Sequence, residues 1–273
     1  MKMQLLKTFV LCFITSSLLQ SMSTDLGRDL YLDLMKKILI NSIYQDASFE
    51  GPNLIAHSYD CFERENGLSW PFMAHTMIGL KRLNNIQFCV EDVIKNAIPG
   101  DLVETGVWRG GATIFMRAIL KAYNDSTRNV WVCDSFCGLP IPNINAFPAD
   151  VGMNLYQSNN VLGISLETVK ENFKRYNLLD SQVQFLKGWF KDTLPGAPIE
   201  KIAVLRLDGD LYESTFQALT SLYSKLSVGG YLIIDDYMIQ SCQKAVMDYR
   251  KLNNITEPII MIDLSSAYWQ RIQ

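Results

Sequence analysis

The sequence predicts an α/β fold, namely a doubly wound, mostly parallel sheet with helices on both faces and an N-terminal helical extension. Two observations lead to this prediction. From Pro99 onward, short apolar segments rich in β-formers alternate with segments of helical periodicity, which is the pattern of parallel strands joined by right-handed crossovers. The short segments are also apolar almost throughout, as expected of strands that helices cover on both sides.

Composition is that of a well-packed protein and argues against several functional classes. The chain has 273 residues, 48% of them hydrophobic and 19% charged, which is enough apolar material for a large core and excludes intrinsic disorder. The formal net charge of −3 argues against a nucleic-acid-binding protein held by phosphate contacts. The six cysteines are scattered, with neither paired Cys-x-x-Cys units for zinc nor the outline of a disulfide framework.

The first 24 residues allow two interpretations. Lys2 and Lys7 precede an apolar run from Phe9 to Leu19, and small residues follow, which is the outline of a secretory signal peptide. The run is too short to span a bilayer as a stable helix. The cleavage site is poor, and cleavage would leave five cysteines, an odd number for an oxidising compartment. The alternative is an N-terminal extension of a cytoplasmic protein, and these residues alone leave both interpretations open.

The remaining elements follow from apolar periodicity. Residues 30–44 and 72–98 have helical spacing, and a loop is expected around Gly51 and Pro52. The predicted strands are 102–104, 130–133, 183–186, 202–207, 231–234, 259–262 and 268–272. The predicted helices between them are 112–123, 166–176, 216–226 and 241–251. The expected organisation is an extension at 1–24, a helical cap at 25–98 and a sheet domain at 99–273.

Ligands of such sheets bind beyond the carboxyl ends of the strands, and the first predicted strand ends in a distinctive turn. The turn reads Glu104-Thr105-Gly106-Val107-Trp108-Arg109-Gly110-Gly111 and opens a helix whose first N–H groups are free. Its spacing matches neither Gly-x-Gly-x-x-Gly nor a phosphate-binding loop. An acid before the glycines fits a cofactor with a cationic or amino-bearing end. The alternative is a turn that is tight for packing alone.

The next two strands also end in residues that suit a nucleoside. Asp134 follows the second strand, where a carboxylate is well placed to accept hydrogen bonds from ribose hydroxyls. Trp189 follows the third strand beside Gly188, and its indole ring could stack on adenine or pack in the core.

The fourth and fifth predicted strands end in paired acids, Asp208-Gly209-Asp210 and Asp235-Asp236. Ionised carboxylates in one small volume need a compensating cation. Asp208, Asp235 and Asp236 offer hard oxygen ligands without His or Cys, which favours magnesium over zinc. The alternative role for such an acid is to cap the following helix, and we expect this role of Asp210.

Together these motifs resemble the macrocin O-methyltransferase family over about 29–263. The resemblance implies a Rossmann-like methyltransferase sheet and an enzyme that uses S-adenosylmethionine and Mg²⁺ to methylate a sugar hydroxyl. The cofactor residues that it implies are Glu104, Thr105, Gly106, Arg109, Asp134, Ser135, Gly188 and Trp189, to which we add Gly111 from the same turn. The metal ligands that it implies are Asp208, Asp235 and Asp236.

The expected mechanism is that vicinal hydroxyls of the acceptor chelate the metal and Asp208 accepts the proton. His75, Tyr212 and Tyr237 are expected, from their positions alone, to contact the acceptor. The expected partner is a small hydroxyl-bearing acceptor, a glycoside, with no nucleic acid and no membrane span. Homo-oligomerisation stays open. Because S-adenosylmethionine is a cytosolic metabolite, the cytoplasm is the expected location.

Two other functions remain possible at this stage. One is a methyltransferase for a catechol-like phenol, since two adjacent phenolic oxygens chelate a metal equally well. The other is a non-catalytic relative that binds S-adenosylmethionine. A nicotinamide-dependent dehydrogenase is disfavoured by the spacing of the glycine-rich turn and by the acidic cluster.

Overall fold

The computed structural model describes residues 25–50 and 54–273, and the predicted extension at 1–24 lies outside them. The N-terminal part begins with helix α1 over 25–39 and includes a three-stranded antiparallel sheet. Its further elements are β1 (Ser48–Glu50), β2 (Ile55–His57), α2 (Cys61–Asn66), β3 (Trp70–Pro71) and α3 (Gly79–Lys95). Throughout the two described ranges, every helix is too short or too polar to cross a lipid bilayer.

This part differs from the predicted pair of helices. The three short strands lie where no strand was predicted, and residues 72–78 are not helical. Helix α3 begins only at Gly79, whose φ of +75° is incompatible with a continuous right-handed helix. A side chain at Gly79 would strike the backbone of Gly67, so the two glycines allow α2 and α3 to pack closely. The non-helical stretch 71–78, from the last residue of β3 to the start of α3, is called the wall segment below.

The main sheet follows, with strands and helices in alternation. The elements are β4 (Asp101–Thr105), α4 (Gly111–Ala122), β5 (Val130–Asp134), α5 (Asn159–Leu162), α6 (Leu166–Arg175), β6 (Val183–Lys187), α7 (Phe190–Thr193), β7 (Ile202–Leu207), α8 (Tyr212–Leu222), β8 (Leu226–Ile234), α9 (Gln240–Leu252), β9 (Ile260–Met261) and β10 (Ala267–Gln270). All seven strands predicted for this sheet are therefore confirmed.

The order of strands in the sheet is β6-β5-β4-β7-β8-β10-β9. The first five strands in this order are parallel, and β10 pairs antiparallel with both β8 and β9. The chain places β5 on one side of β4 and β7 on the other, so the winding direction reverses at β4. Ligands of doubly wound sheets bind at such a reversal, beyond the carboxyl ends of the strands.

Hydrophobic cores lie on both faces of the sheet, as predicted. Leu102 and Val103, neighbours on β4, belong to different cores because successive side chains of a strand point to opposite faces. The core around Leu102 also contains Leu32 of α1 and Leu83 of α3, both fully buried. The N-terminal helices are thus packed on the sheet, which holds the wall segment next to the strand ends.

Candidate active site

A cavity of about 660 Å³ opens at the carboxyl ends of β4, β5, β7 and β8, a volume typical of sites for small ligands. Its wall includes the strand ends, the wall segment, the loop after β5, the turn after β6 and the first turns of α8. The polar side chains of the wall include Arg82, Glu104, Asp134, Ser135, Arg206, Asp208, Asp210, Glu213, Gln217, Asp235 and Asp236.

Five of the nine residues predicted for the cofactor site line this cavity, namely Glu104, Gly106, Asp134, Ser135 and Trp189. Glu104 is 1% exposed, and its Oε1 accepts a hydrogen bond from Arg206. Its Oε2 has no hydrogen-bond partner within residues 25–50 and 54–273. Burial raises the pKa of Glu104 to about 8. A buried carboxylate with one free oxygen fits a ligand that brings a positive charge.

Asp134 connects two turns at the floor of the cavity. Its Oδ2 accepts a hydrogen bond from Val107 N at 2.7 Å, in the turn after β4, and its Oδ1 accepts one from Phe136 N at 2.7 Å. Burial raises the pKa of Asp134, although these N–H groups favour its ionised form. A carboxylate has about four acceptor positions, so others stay open to ligand hydroxyls.

The other four predicted cofactor residues have different surroundings. Thr105 is 1% exposed inside β4. Gly188 lies so close to the Thr193 side chain that a Cβ atom at position 188 would strike it. Arg109 extends to the wall segment. Gly111 N–H donates to the carbonyl oxygen of His75 at 3.0 Å, and a side chain at Gly111 would strike that carbonyl. Close packing of the wall segment thus accounts for the glycine at position 111, and its role in cofactor binding stays a prediction.

Three carboxylates that line the cavity meet in one cluster. Oxygens of Asp208, Asp210 and Asp236 all lie within 4.8 Å of one another, close enough to hold one metal ion. Burial and the neighbouring carboxylates raise the pKa of Asp208 to about 6 and that of Asp210 to about 8. They also raise the pKa of Asp236 well above its usual range. A cation would relieve this repulsion and favour the ionised forms.

This cluster differs from the predicted ligand set, because Asp210 takes the place of Asp235. Both oxygens of Asp235 are paired, Oδ1 with Arg206 and Oδ2 with Arg82 Nη1 at 2.8 Å. Asp210 was expected to cap α8, but it does not. Asp150 does so instead, since its carboxylate accepts hydrogen bonds from the N–H groups of Tyr212 at 2.6 Å and Glu213 at 3.1 Å.

Two buried arginines balance the acids, and the sequence reasoning missed both. Arg206, on β7, has a fully buried side chain that pairs with Glu104 and Asp235 and lies 2.9 Å from Asp208 Oδ2. Arg82, on α3, bridges Asp235 and Asp263. An arginine within the otherwise apolar run Ile202–Leu207 was the available signal for Arg206.

His75 was predicted to contact the acceptor, but its ring packs against Tyr176. Its Nδ1 lies 2.6 Å from the Tyr176 hydroxyl. Burial, together with the positive charges of Arg175 and Arg109, lowers the pKa of His75 to about 4, so the imidazole is neutral at pH 7. It serves as a packing residue beside the turn after β4.

Tyr212 and Tyr237 also point away from the acidic cluster. The Tyr212 hydroxyl donates to Asp248 at 3.0 Å, and the Tyr237 hydroxyl contacts Met247 Sδ at 3.8 Å. Other residues that line the cavity are Trp70, Met77, Glu213, Ser214, Gln217, Met238 and Ile239.

Comparison with known proteins agrees with this architecture. The sequence model of the family described as "Macrocin-O-methyltransferase (TylF)" matches residues 28–271. The chain is 55% identical to the 8-demethyl-8-(2,3-dimethoxy-alpha-L-rhamnosyl)-tetracenomycin-C 4'-O-methyltransferase of Streptomyces olivaceus, over 90% of this chain and 94% of that protein. It is 54% identical to the demethyldecarbamoylnovobiocin O-methyltransferase of Streptomyces niveus, over 91% and 95%. It is 51% identical to the mycinamicin III 3''-O-methyltransferase of Micromonospora griseorubida, over 92% and 99%.

Solved structures show the same fold. The structure of the O-methyltransferase NovP superposes with a TM-score of 0.86 at 53% identity and covers 90% of this chain and 100% of that one. The calicheamicin methyltransferase CalS11 superposes with a TM-score of 0.56 at 20% identity, over 70% and 79%, which supports the fold alone. From the family match and these high identities, the chain belongs to the macrocin-O-methyltransferase (TylF) family of O-methyltransferases.

Proposed function

We propose that the chain transfers the methyl group of S-adenosylmethionine to a sugar hydroxyl of a glycosylated small molecule, next to a divalent cation held by Asp208, Asp210 and Asp236. The observation that carries the proposal is that this carboxylate cluster shares one cavity with Glu104 and Asp134. The names of the relatives from Streptomyces olivaceus and Micromonospora griseorubida give the positions that those enzymes methylate, 4' and 3''.

The donor end of the cavity fits S-adenosylmethionine, which supplies a methyl group on a positively charged sulfur. The free Oε2 of Glu104 suits the ammonium group of the donor. The Asp134 carboxylate suits the ribose hydroxyls. Trp189 lines the cavity and is 36% exposed, which leaves indole surface on which an adenine ring can stack.

The acceptor end fits a hard divalent cation such as Mg²⁺, because its donor set is three carboxylates. When bound, such an ion lowers the pKa of a coordinated hydroxyl group. Asp208 Oδ2 is turned toward Arg206, so Oδ1 is the oxygen that we assign as acceptor of the hydroxyl proton. The wall segment contributes Thr76 and Met77 to the enclosure that excludes water and orients the acceptor.

We also propose that the chain consists of two parts with different roles, divided near residue 98. The sheet domain supplies the donor site and the carboxylates, and the part before it supplies the acceptor-side wall through Trp70 and Met77. We assign the activity to the cytoplasm, where the methyl donor is found.

A comparison of acceptors with and without metal tests the proposal. The chain, S-adenosylmethionine and either glycosides bearing free vicinal hydroxyls or a catechol are incubated together, and products are identified by mass spectrometry. We expect a glycoside to be methylated, EDTA to lower the rate by about a hundredfold or more, and Mg²⁺ to restore it. Full activity in EDTA would remove the metal from the proposal, and methylation of catechol alone would replace the acceptor class. Donor binding without any methyl transfer would indicate a non-catalytic relative.

A further inference from the structure

Arg109 sits in the glycine-rich turn after β4, yet its guanidinium group reaches the wall segment. Its Nη1 donates hydrogen bonds to two backbone carbonyl oxygens, those of Pro71 at 3.1 Å and Ala74 at 2.8 Å. The guanidinium carbon lies 4.0 Å from the centre of the Trp108 ring, and Trp108 lines the cavity. One side chain therefore joins the turn beside the donor site to the wall beside the acceptor site.

A second side chain holds the same segment through its N–H groups. Asp46 Oδ2 accepts hydrogen bonds from the backbone N–H groups of Met73 and Ala74. Asp46 is itself fixed, because its Oδ1 is paired at 2.6 Å with Arg64, whose side chain is 2% exposed. Ala74 is thus held on both sides, by Arg109 at its carbonyl group and by Asp46 at its N–H group.

The backbone contacts that follow fix the direction in which the segment continues. His75 N–H donates to Leu39 O at 2.9 Å, and its carbonyl group accepts from Gly111 N–H at 3.0 Å. The next residues, Thr76 and Met77, then face the cavity. These backbone contacts therefore fix the positions of Thr76 and Met77 in the cavity wall.

We propose that Arg109 is a positioning residue: together with Asp46 it clamps the wall segment onto the turn after β4 and thereby shapes the acceptor pocket, and it does not bind the methyl donor. This inference rests on the proposed function only in calling the ligand on that side the acceptor. Lysine cannot reproduce the clamp fully: an ammonium group can donate to the two carbonyl groups as Nη1 does, but it is a compact point charge without the planar surface by which the guanidinium stacks on Trp108.

Three variants test the proposal on the full-length chain. Arg109→Met removes the clamp, Arg109→Lys keeps the charge, and Arg175→Met removes an exposed arginine nearby as the matched control. Hydrogen–deuterium exchange of residues 71–78 is measured alongside calorimetric binding of S-adenosylhomocysteine and the KM and kcat for a methylated glycoside. For Arg109→Met we expect exchange in the wall segment to accelerate about tenfold or more and KM for the acceptor to rise about tenfold.

In the same variant we expect the Kd for S-adenosylhomocysteine to stay within about twofold, and kcat to change less than KM. Arg109→Lys should lie between Arg109→Met and the unmodified chain, Arg175→Met should match the unmodified chain, and Asp46→Asn should reproduce the faster exchange. A large rise in the Kd for S-adenosylhomocysteine with unchanged exchange in 71–78 would overturn the proposal and make Arg109 a donor ligand. Exchange and donor binding need no acceptor, so they decide the question even if every glycoside proves inactive and the proposed function fails.

Discussion

Asp208→Asn is expected to lower methyl transfer by about 10²–10⁴-fold while the chain stays folded. The amide keeps the shape of the carboxylate, and its oxygen can still accept the hydrogen bond from Arg206 Nη1. It loses both the negative charge that helps to hold a cation and the ability to accept a proton. The rate is measured by mass spectrometry of the methylated product at saturating donor and acceptor, and folding by circular dichroism and thermal unfolding.

The matched control for this substitution is Asp192→Asn. Asp192 is an exposed carboxylate in α7 and takes no part in the acidic cluster, so this variant should methylate at the rate of the unmodified chain. Asp236→Asn should lose activity as Asp208→Asn does, since both side chains belong to the cluster. If Asp208→Asn kept the full rate, Asp208 could be neither a necessary metal ligand nor the proton acceptor.

Arg206→Met is expected to destabilise the chain by about 3–5 kcal/mol, the usual cost of removing one partner from a buried ion pair. The Arg206 side chain is fully buried and pairs with Glu104, Asp208 and Asp235. Methionine fills a similar volume but leaves these carboxylates without their central cation. The free energy of unfolding is measured by urea titration, with Arg175→Met, an exposed arginine, as the control.

A second substitution separates lost charge from lost packing. Adding Glu104→Gln to Arg206→Met removes one of the unpaired acids, so the double variant should be more stable than Arg206→Met alone. If Arg206→Met unfolded at the same urea concentration as the unmodified chain, Arg206 would not be compensating the charges of the buried acids. The electrostatic role that we assign to this arginine would then be wrong.

The sheet was predictable because each of its strands is a short apolar run bounded by turn residues, as in Ile202–Leu207. The convergence of the acidic strand ends was predictable because the carboxyl ends of parallel strands share one edge of the sheet. The strands of the N-terminal sheet are only two or three residues long, too short to show a two-residue periodicity. They depend on tertiary contacts such as that between Asp46 and Arg64, which no local pattern indicates.

The carboxylate cluster contains Asp210 and not the predicted Asp235, and this difference also depends on tertiary contacts. Asp235 and Asp236 are adjacent in sequence and both line the cavity, and their partners decide which of them joins the carboxylate cluster. The Arg82 partner of Asp235 is 153 residues away on α3, so the sequence could not reveal the pairing. Likewise, Arg109 and Gly111 lie within a motif that points to a cofactor, while their contacts are with the wall segment.

Binding of Mn²⁺, a spectroscopic substitute for Mg²⁺, tests most directly whether Asp208, Asp210 and Asp236 hold a divalent cation. Free Mn²⁺ is followed by electron paramagnetic resonance as the full-length chain is added, with Asp236→Asn and Asp192→Asn titrated in parallel. The predicted result is a single site that Mg²⁺ displaces, that Asp236→Asn loses and that Asp192→Asn keeps. Absence of Mn²⁺ binding by the unmodified chain, or equal binding by Asp236→Asn, would contradict the account.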